Sequence, residues 1–197
     1  MTIKIEDIKK LRDTTGAGMM DAKAALEEAK GDFDKAVEVM RLKGIAKAGK
    51  KADRVASMGV IESYVHSEKI GVLVEINCET DFIARTDDFK AFARDVAMHI
   101  AAASPECVDR DSVNPEALKK ETATIEKEVA AAGKPAEFAQ KIIDGKLAKW
   151  YEQICLVNQP FIKDPDKTID QLTKELIGKL GENIIIKRFS RLELGAE

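Results

Sequence analysis

The 197-residue chain is short of net charge, of cysteine and of histidine, and each shortage removes a class of function. Charged residues make up 34% but nearly cancel, to net −3, whereas dedicated binders of nucleic acid or anionic membranes usually present a strongly basic surface. The expected partner is therefore another protein, with no nucleic acid and no membrane. No run approaches the roughly 20 apolar residues of a membrane span, and the N-terminus lacks the basic region and apolar core of a signal peptide, so a cytoplasmic location is expected. Cys78, Cys107 and Cys155 are odd in number, widely spaced and without a CxxC pair, which speaks against a disulfide framework and against a zinc site. Two histidines make a metal site an unpromising expectation, and there is no GxxxxGK[ST] loop for a nucleotide. No cofactor is expected. Internal repeats and low-complexity tracts are also missing.

What is present is enough apolar material, 45%, to bury a core, with length for a small module beside a larger one. Ile5, Ile8 and Leu11 recur at helical spacing until Thr14-Thr15-Gly16-Ala17-Gly18 breaks the pattern. A second helix is predicted from Met19, with Ala22, Ala25, Leu26 and Ala29 on one face. Gly31 stops it, and Asp32 is placed to cap a third helix carrying Phe33, Ala36, Val37 and Met40. These helices make a minimal bundle over residues 1–43. Residues 44–56 form a basic tract with few large apolar groups, read as a linker, with a cationic patch for an acidic or phosphate-rich partner as the alternative.

From residue 57 onward a larger α+β domain, ending at 197, is predicted. Val60 to His66 and Ile70 to Cys78 alternate as the strands of a hairpin about the turn Ser67-Glu68-Lys69, with Val72, Val74, Ile76 and Cys78 on one face. Thr86 is placed to cap a helix with Asp87 and Asp88 in its first turn and Phe89, Phe92, Ala93, Val96, Ala97 and Ile100 as its buried stripe. Asn114-Pro115-Glu116 opens a helix running to Gly133, and another runs from Pro135 to about Cys155. Val157 to Pro165, interrupted by prolines, reads as an ordered loop anchored by Phe161. Thr168 and Gln171 fit a capping box for a helix to Gly181, and Ile184 to Leu194 supplies a closing strand. The expected architecture is a small antiparallel sheet covered by helices.

Few residues could carry chemistry. Cys78 and His66 form a conceivable nucleophile and base on adjacent strands, but Cys78 shares the apolar face of its strand and is better read as a small buried hydrophobe. His99 reads as a half-buried histidine bonded to backbone. Gly16 and Gly18 can turn the chain tightly and display Met19 and Met20 to a protein partner, or those methionines can plug the bundle. The run Thr80-Asp81-Phe82-Ile83-Ala84-Arg85 sets a large aromatic beside a carboxylate after a strand should have ended. Phe82 can fold back as a lid on the sheet, or it can stand out as an apolar wedge whose neighbour Asp81 competes for a cation in a partner's site.

The chain resembles the bacterial elongation factor Ts family in three blocks, in the family's order. Leu11 to Leu26 is similar to its N-terminal three-helix, ubiquitin-associated-type module, Thr80 to Arg85 to its TDF[VI]A[RK] loop, and Gln159 to Asp164 to its QPFxxD segment. The resemblance implies a guanine nucleotide exchange factor for elongation factor Tu, engaged in its GDP-bound and nucleotide-free forms, and not an enzyme. It implies that Phe82 is the wedge and Asp81 its polar companion near the partner's magnesium, with Thr80 and Ile83 shaping the loop. Leu11, Gly16, Gly18 and Met19 become candidates for the docking surface. The single hairpin-plus-helix unit resembles a short form of the family, so either one subunit suffices or two chains combine through their sheets. The homodimer is the secondary expectation. The alternative is a ubiquitin-associated-like adaptor without exchange activity, in which residues 1–43 bind and the rest is scaffold.

Overall fold

The structure is a computed structural model and describes residues 3–132 and 136–196. Its elements run α1 (Ile5–Thr15), α2 (Met19–Glu28), α3 (Phe33–Gly49), β1 (Met58–His66), β2 (Ile70–Cys78), α4 (Asp81–Ala84), α5 (Asp87–Ala103), α6 (Pro115–Ala131), α7 (Ala136–Ile154), β3 (Pro160–Phe161), β4 (Asp164–Thr168), α8 (Ile169–Leu180) and β5 (Ile184–Glu193), with a 3-10 turn at Leu156–Asn158. One sheet has the order β1-β2-β5 and a second, small one pairs β3 with β4, so the fold is α+β. The chain divides into two compact units. The first combines Met1–Ile61, Glu75–Ala93 and Gln171–Ile186; the second combines Glu62–Val74, Arg94–Asp170 and Lys187–Glu197.

In the first unit, α1 to α3 close around Ile8, Leu11, Ala22, Ala25, Leu26, Ala36 and Met40. Gly16 ends α1 in the left-handed region (φ 67), where a Cβ would be strained, and its N–H caps the carbonyl of Arg12. Asp32 caps α3 as expected, accepting from the Lys35 N–H. The basic tract expected to be a linker instead continues α3 to Gly49. The tract packs on α8: Gly44 lies against Gly178, and a Cβ built on Gly178 would come 2.7 Å from the Gly44 Cα. Ala48 in the same stretch is buried. The missing Cβ of Gly178 lets the two helix backbones approach.

Burial along β2 matches the alternation, with Val72, Val74, Ile76 and Cys78 all buried. Likewise the stripe of α5, from Phe89 to Ile100, is buried, and the Thr86 hydroxyl accepts from the Phe89 N–H at 3.4 Å. In the second unit Asn114 caps α6 through the N–H groups of Glu116 and Ala117. The expected ends at Gly133 and Pro135 lie outside the described residues. The segment after Val157, expected to be a loop, is an antiparallel ribbon pairing Pro160 with Thr168 and Phe161 with Asp164, with an irregularity between them that the prolines accommodate. Cys107 and Cys155 sit on an isolated parallel bridge with their sulfurs 3.5 Å apart. Burial pushes both thiols up, Cys155 to about 12.

Candidate partner-binding site

The stretch expected to be a loop at Thr80 to Arg85 is a single helical turn. Four residues cannot hold a helix by their own hydrogen bonds, because nucleation fixes several residues before any bond repays it. Its shape must come from the ends. Thr80 is fixed at three polar atoms: its N–H donates to Glu182 Oε2 (2.9 Å), its hydroxyl donates to Glu182 Oε1 (2.6 Å), and its carbonyl accepts from the Cys78 thiol (3.1 Å). The hydroxyl has one proton, and Glu182 takes it, which leaves a lone pair facing the Ile83 N–H at 3.5 Å as the N-cap. Next to it, Glu79 Oε1 accepts from the Asn183 N–H at 2.7 Å. The Asn183 side-chain amide in turn donates to the carbonyls of Ala52 (3.2 Å) and Arg54 (2.8 Å). Two adjacent residues on each side are thus cross-tied.

On this base Ala84 is buried and Ile83 half-buried, while Phe82 is 80% exposed. Of the two readings of Phe82, the lid on the sheet is therefore not what forms. Asp81 pairs with Arg85 one turn on, at 2.9 Å, with both ends open to water. Such an exposed pair contributes little to stability and is easily exchanged for another cation. The Phe82 ring thus stands largely in solvent beside a carboxylate held only by an exposed ion pair.

The N-terminal candidates separate by exposure. Leu11 is in the bundle core and contributes no exposed surface. Gly16 and Gly18 frame the exposed turn between α1 and α2, and Gly18 occupies the N-cap of α2. Met20 stands 76% exposed and Met19 partly so, with the Arg12 guanidinium 3.9 Å from the Met19 sulfur. Both methionines face outward. A Cβ on Gly16 would meet the Lys179 side chain at 2.6 Å, and that lysine pairs with Asp88 at 2.7 Å.

The reading of Cys78 and His66 as nucleophile and base finds no support in the cysteine. Cys78 is fully buried, and burial, then Glu182, holds its thiol above the usual range, which leaves little thiolate. His66 is exposed, its Nδ1 3.1 Å from the Tyr64 hydroxyl. Among the described residues no group of three His, Cys, Asp or Glu side chains is placed to hold a metal ion, and no helix is long and apolar enough to cross a membrane.

Two residues escaped the sequence reading, and a third, His99, was read correctly as bonded to backbone but not as fully buried. Glu182 and Asn183 lie in the turn after α8, where a carboxylate and an amide following Gly181 could have been read as side chains with a distant backbone to bind. His99 was expected half-buried but is fully buried. Its Nδ1 accepts from the Ile162 N–H (3.3 Å), so Nε2 carries the proton and donates to Gln159 Oε1 (2.9 Å). Gln159 then donates to the Gln153 carbonyl at 2.6 Å, and the Phe161 ring lies 6.1 Å from the imidazole. Gln159 and Phe161 are therefore inner parts of the fold.

Comparison with known proteins agrees over nearly the whole chain. The family described as elongation factor TS matches residues 3–196. The chain is similar to elongation factor Ts of Carboxydothermus hydrogenoformans, 56% identical over 95% of this chain and 87% of that one. It is 51% identical to elongation factor Ts of Koribacter versatilis, over 99% and 90% of the two chains. With elongation factor Ts of Thermodesulfovibrio yellowstonii the identity is 48%, over 99% of this chain and 98% of the relative.

Proposed function

The chain belongs to the elongation factor Ts family, and on that premise we propose that it is a cytoplasmic guanine nucleotide exchange factor for elongation factor Tu whose working part is the Asp81-Phe82 turn. In this reading residues 1–43 dock on the partner's nucleotide-binding domain through the turn that carries Gly16, Gly18 and Met19. Residues 44–56 lead to a core, residues 57–197, that holds the partner a second time and presents the wedge. The observation that carries the reading is the exposure of Phe82 on a turn whose base is tied at every polar atom of Thr80.

The mechanism needs no bond to be made or broken. Magnesium neutralises the phosphates of a bound nucleoside diphosphate, so displacing the groups that hold the metal raises the energy of the nucleotide complex. Phe82 opens packed side chains near that site, while Asp81, released from Arg85, offers a competing carboxylate. A destabilisation of about 4 kcal/mol realised on the way to release would speed it about a thousandfold. Reciprocity then requires nucleotide to weaken the factor's grip by the same coupling, which lets GTP expel it.

The test is stopped-flow release of a fluorescent GDP analogue from elongation factor Tu, with the wild type, with Phe82→Ala and with neither. Strong acceleration by the wild type that Phe82→Ala reduces by roughly 100-fold or more is the expected result. If the folded wild type does not accelerate release, the adaptor reading replaces this one.

The outer faces of β1 and β2 carry Ile61, Val65 and Leu73 in the open. Exposed alternate positions of this kind support a second copy as the occupant of that face. A monomer by equilibrium sedimentation at tens of micromolar protein would remove the homodimer and leave the wedge untouched.

A further inference from the structure

We infer that Glu182 is a positioning residue for nucleotide exchange, acting through Thr80 to hold the Asp81-Phe82 turn in the conformation that reaches the partner; this rests on the exchange reading above. An exposed aromatic gains nothing from its own packing, so its orientation depends on the segment beneath it. That segment is too short to be a stable helix, and the cap that defines it is a hydroxyl whose proton is directed by Glu182 Oε1 at 2.6 Å. The same carboxylate holds the Thr80 N–H through its other oxygen at 2.9 Å. Both bonds involve an ionised acceptor, the strong class of hydrogen bond, and together they fix the peptide and the side chain of one residue. Asn183 repeats the arrangement in reverse by donating its N–H to Glu79.

The position of Glu182 is itself set by what precedes it. Gly178 of α8 lies on Gly44, and the Lys179 stem covers Gly16 before its ammonium pairs with Asp88. One helix thus rests on the N-terminal bundle and ends in the turn that clamps Thr80. The consequence is that the docking turn and the wedge keep a defined register, and docking delivers Phe82 already aimed. Without Glu182 the turn would keep only the Thr80 cap on the Ile83 N–H, the thiol bond to the Thr80 carbonyl and the exposed Asp81–Arg85 pair, all weak ties.

The experiment measures catalysed release of the fluorescent GDP analogue against factor concentration for Glu182→Ala, Glu182→Gln, Thr80→Val, Thr80→Ser, Phe82→Ala and the double variant Glu182→Ala with Phe82→Ala. Circular dichroism and Tm are recorded for each. Glu182→Ala and Thr80→Val are expected to lower the maximal rate by roughly tenfold, the scale of one charge-assisted hydrogen bond lost from the barrier. The half-saturating concentration should stay within about twofold, since the α1–α2 turn is unaltered. Thr80→Ser, which keeps the hydroxyl, should restore most of the rate, and Glu182→Gln should fall between. The double variant should be no slower than Phe82→Ala alone, because Glu182 acts only through the turn. Wild-type maximal rates for Glu182→Ala and Thr80→Val beside a slow Phe82→Ala would overturn the positioning role and leave the wedge standing. An additive double variant, or a Glu182→Ala defect confined to half-saturation, would also overturn it. A wild-type rate for Phe82→Ala would overturn both together. Should Glu182→Ala unfold, Thr80→Val against Thr80→Ser decides the matter alone.

Discussion

Two segments of this chain follow the same local grammar and end in opposite places. Thr80-Asp81-Phe82 and Gln159-Pro160-Phe161 each set a phenylalanine two residues after a polar side chain, in a stretch between regular elements. Phe82 is 80% exposed and Phe161 6%. The difference lies in what the polar residue binds. Thr80 directs its hydrogen bonds to Glu182 and to the cap of its own short helix, on which Phe82 faces outward while Ala84 is buried. Gln159 reaches inward to His99 and to the Gln153 carbonyl, and the ribbon that follows brings its phenylalanine against the imidazole. A polar anchor thus sets the direction of the neighbouring aromatic, and only one of the two directions leaves a surface for a partner.

Truncating the two rings is the strongest way to break the comparison. Phe161→Ala removes a buried ring and is expected to destabilise by about 3–4 kcal/mol, a fall in Tm of roughly 10 °C for a chain of this size. Exchange by the molecules that remain folded should stay near wild type. Phe82→Ala should leave stability within about 0.5 kcal/mol, since the ring makes little packing to lose. Calorimetry of both variants beside the release assay checks the pairing. A Phe82→Ala protein that melts as early as Phe161→Ala would mean that the exposed ring supports the fold, and the contrast would collapse.

Much of this architecture was legible because short-range rules decide it. Asp32 and Asn114 cap where a side-chain oxygen before an amphipathic run should cap, and Thr86 does the same ahead of two acidic residues. The alternation from Val72 to Cys78 could bury only one face. What stayed hidden depends on residues far apart in sequence. The stretch after Lys43 looked like a linker because it has little to bury, yet its backbone at Gly44 lies against Gly178, a residue far off in sequence whose missing Cβ permits the approach. The turn at Asp81–Ala84 has too few residues to announce itself as helix, and its shape comes from Glu182. For the candidate site, resemblance singled out the proposed wedge and the proposed docking turn; exposure then separated Met20 and Phe82, which face outward, from Leu11, which does not.

The smallest expected effect concerns the inner anchor and separates the two segments by pH. His99 is buried as the neutral imidazole, and burial lowers its pKa below the ordinary 6.5, with the Gln159 hydrogen bond opposing part of the shift. When pH falls through about 6.5, the unfolded chain takes up this proton first, while the folded chain resists it. Stability supplied by the neutral histidine is therefore complete above that value and drains away as pH falls toward the lowered folded pKa, with a slope of at most about 1.4 kcal/mol per pH unit for one proton. The protonated ring would also lose the Nδ1 acceptor that holds the Ile162 N–H, so the ribbon carrying Phe161 should loosen first. Thermal melts from pH 7.5 to 5.5 should show a steeper loss of Tm for the wild type than for His99→Gln, which has no proton to gain. Hydrogen exchange at Ile162 should accelerate over the same interval beyond its intrinsic pH dependence, while the Ile83 amide beneath the wedge should not. Equal slopes for the two proteins would show that His99 is not the titrating group, and the inward anchor would then owe its stability to packing around Phe161 rather than to the tautomer that Gln159 selects.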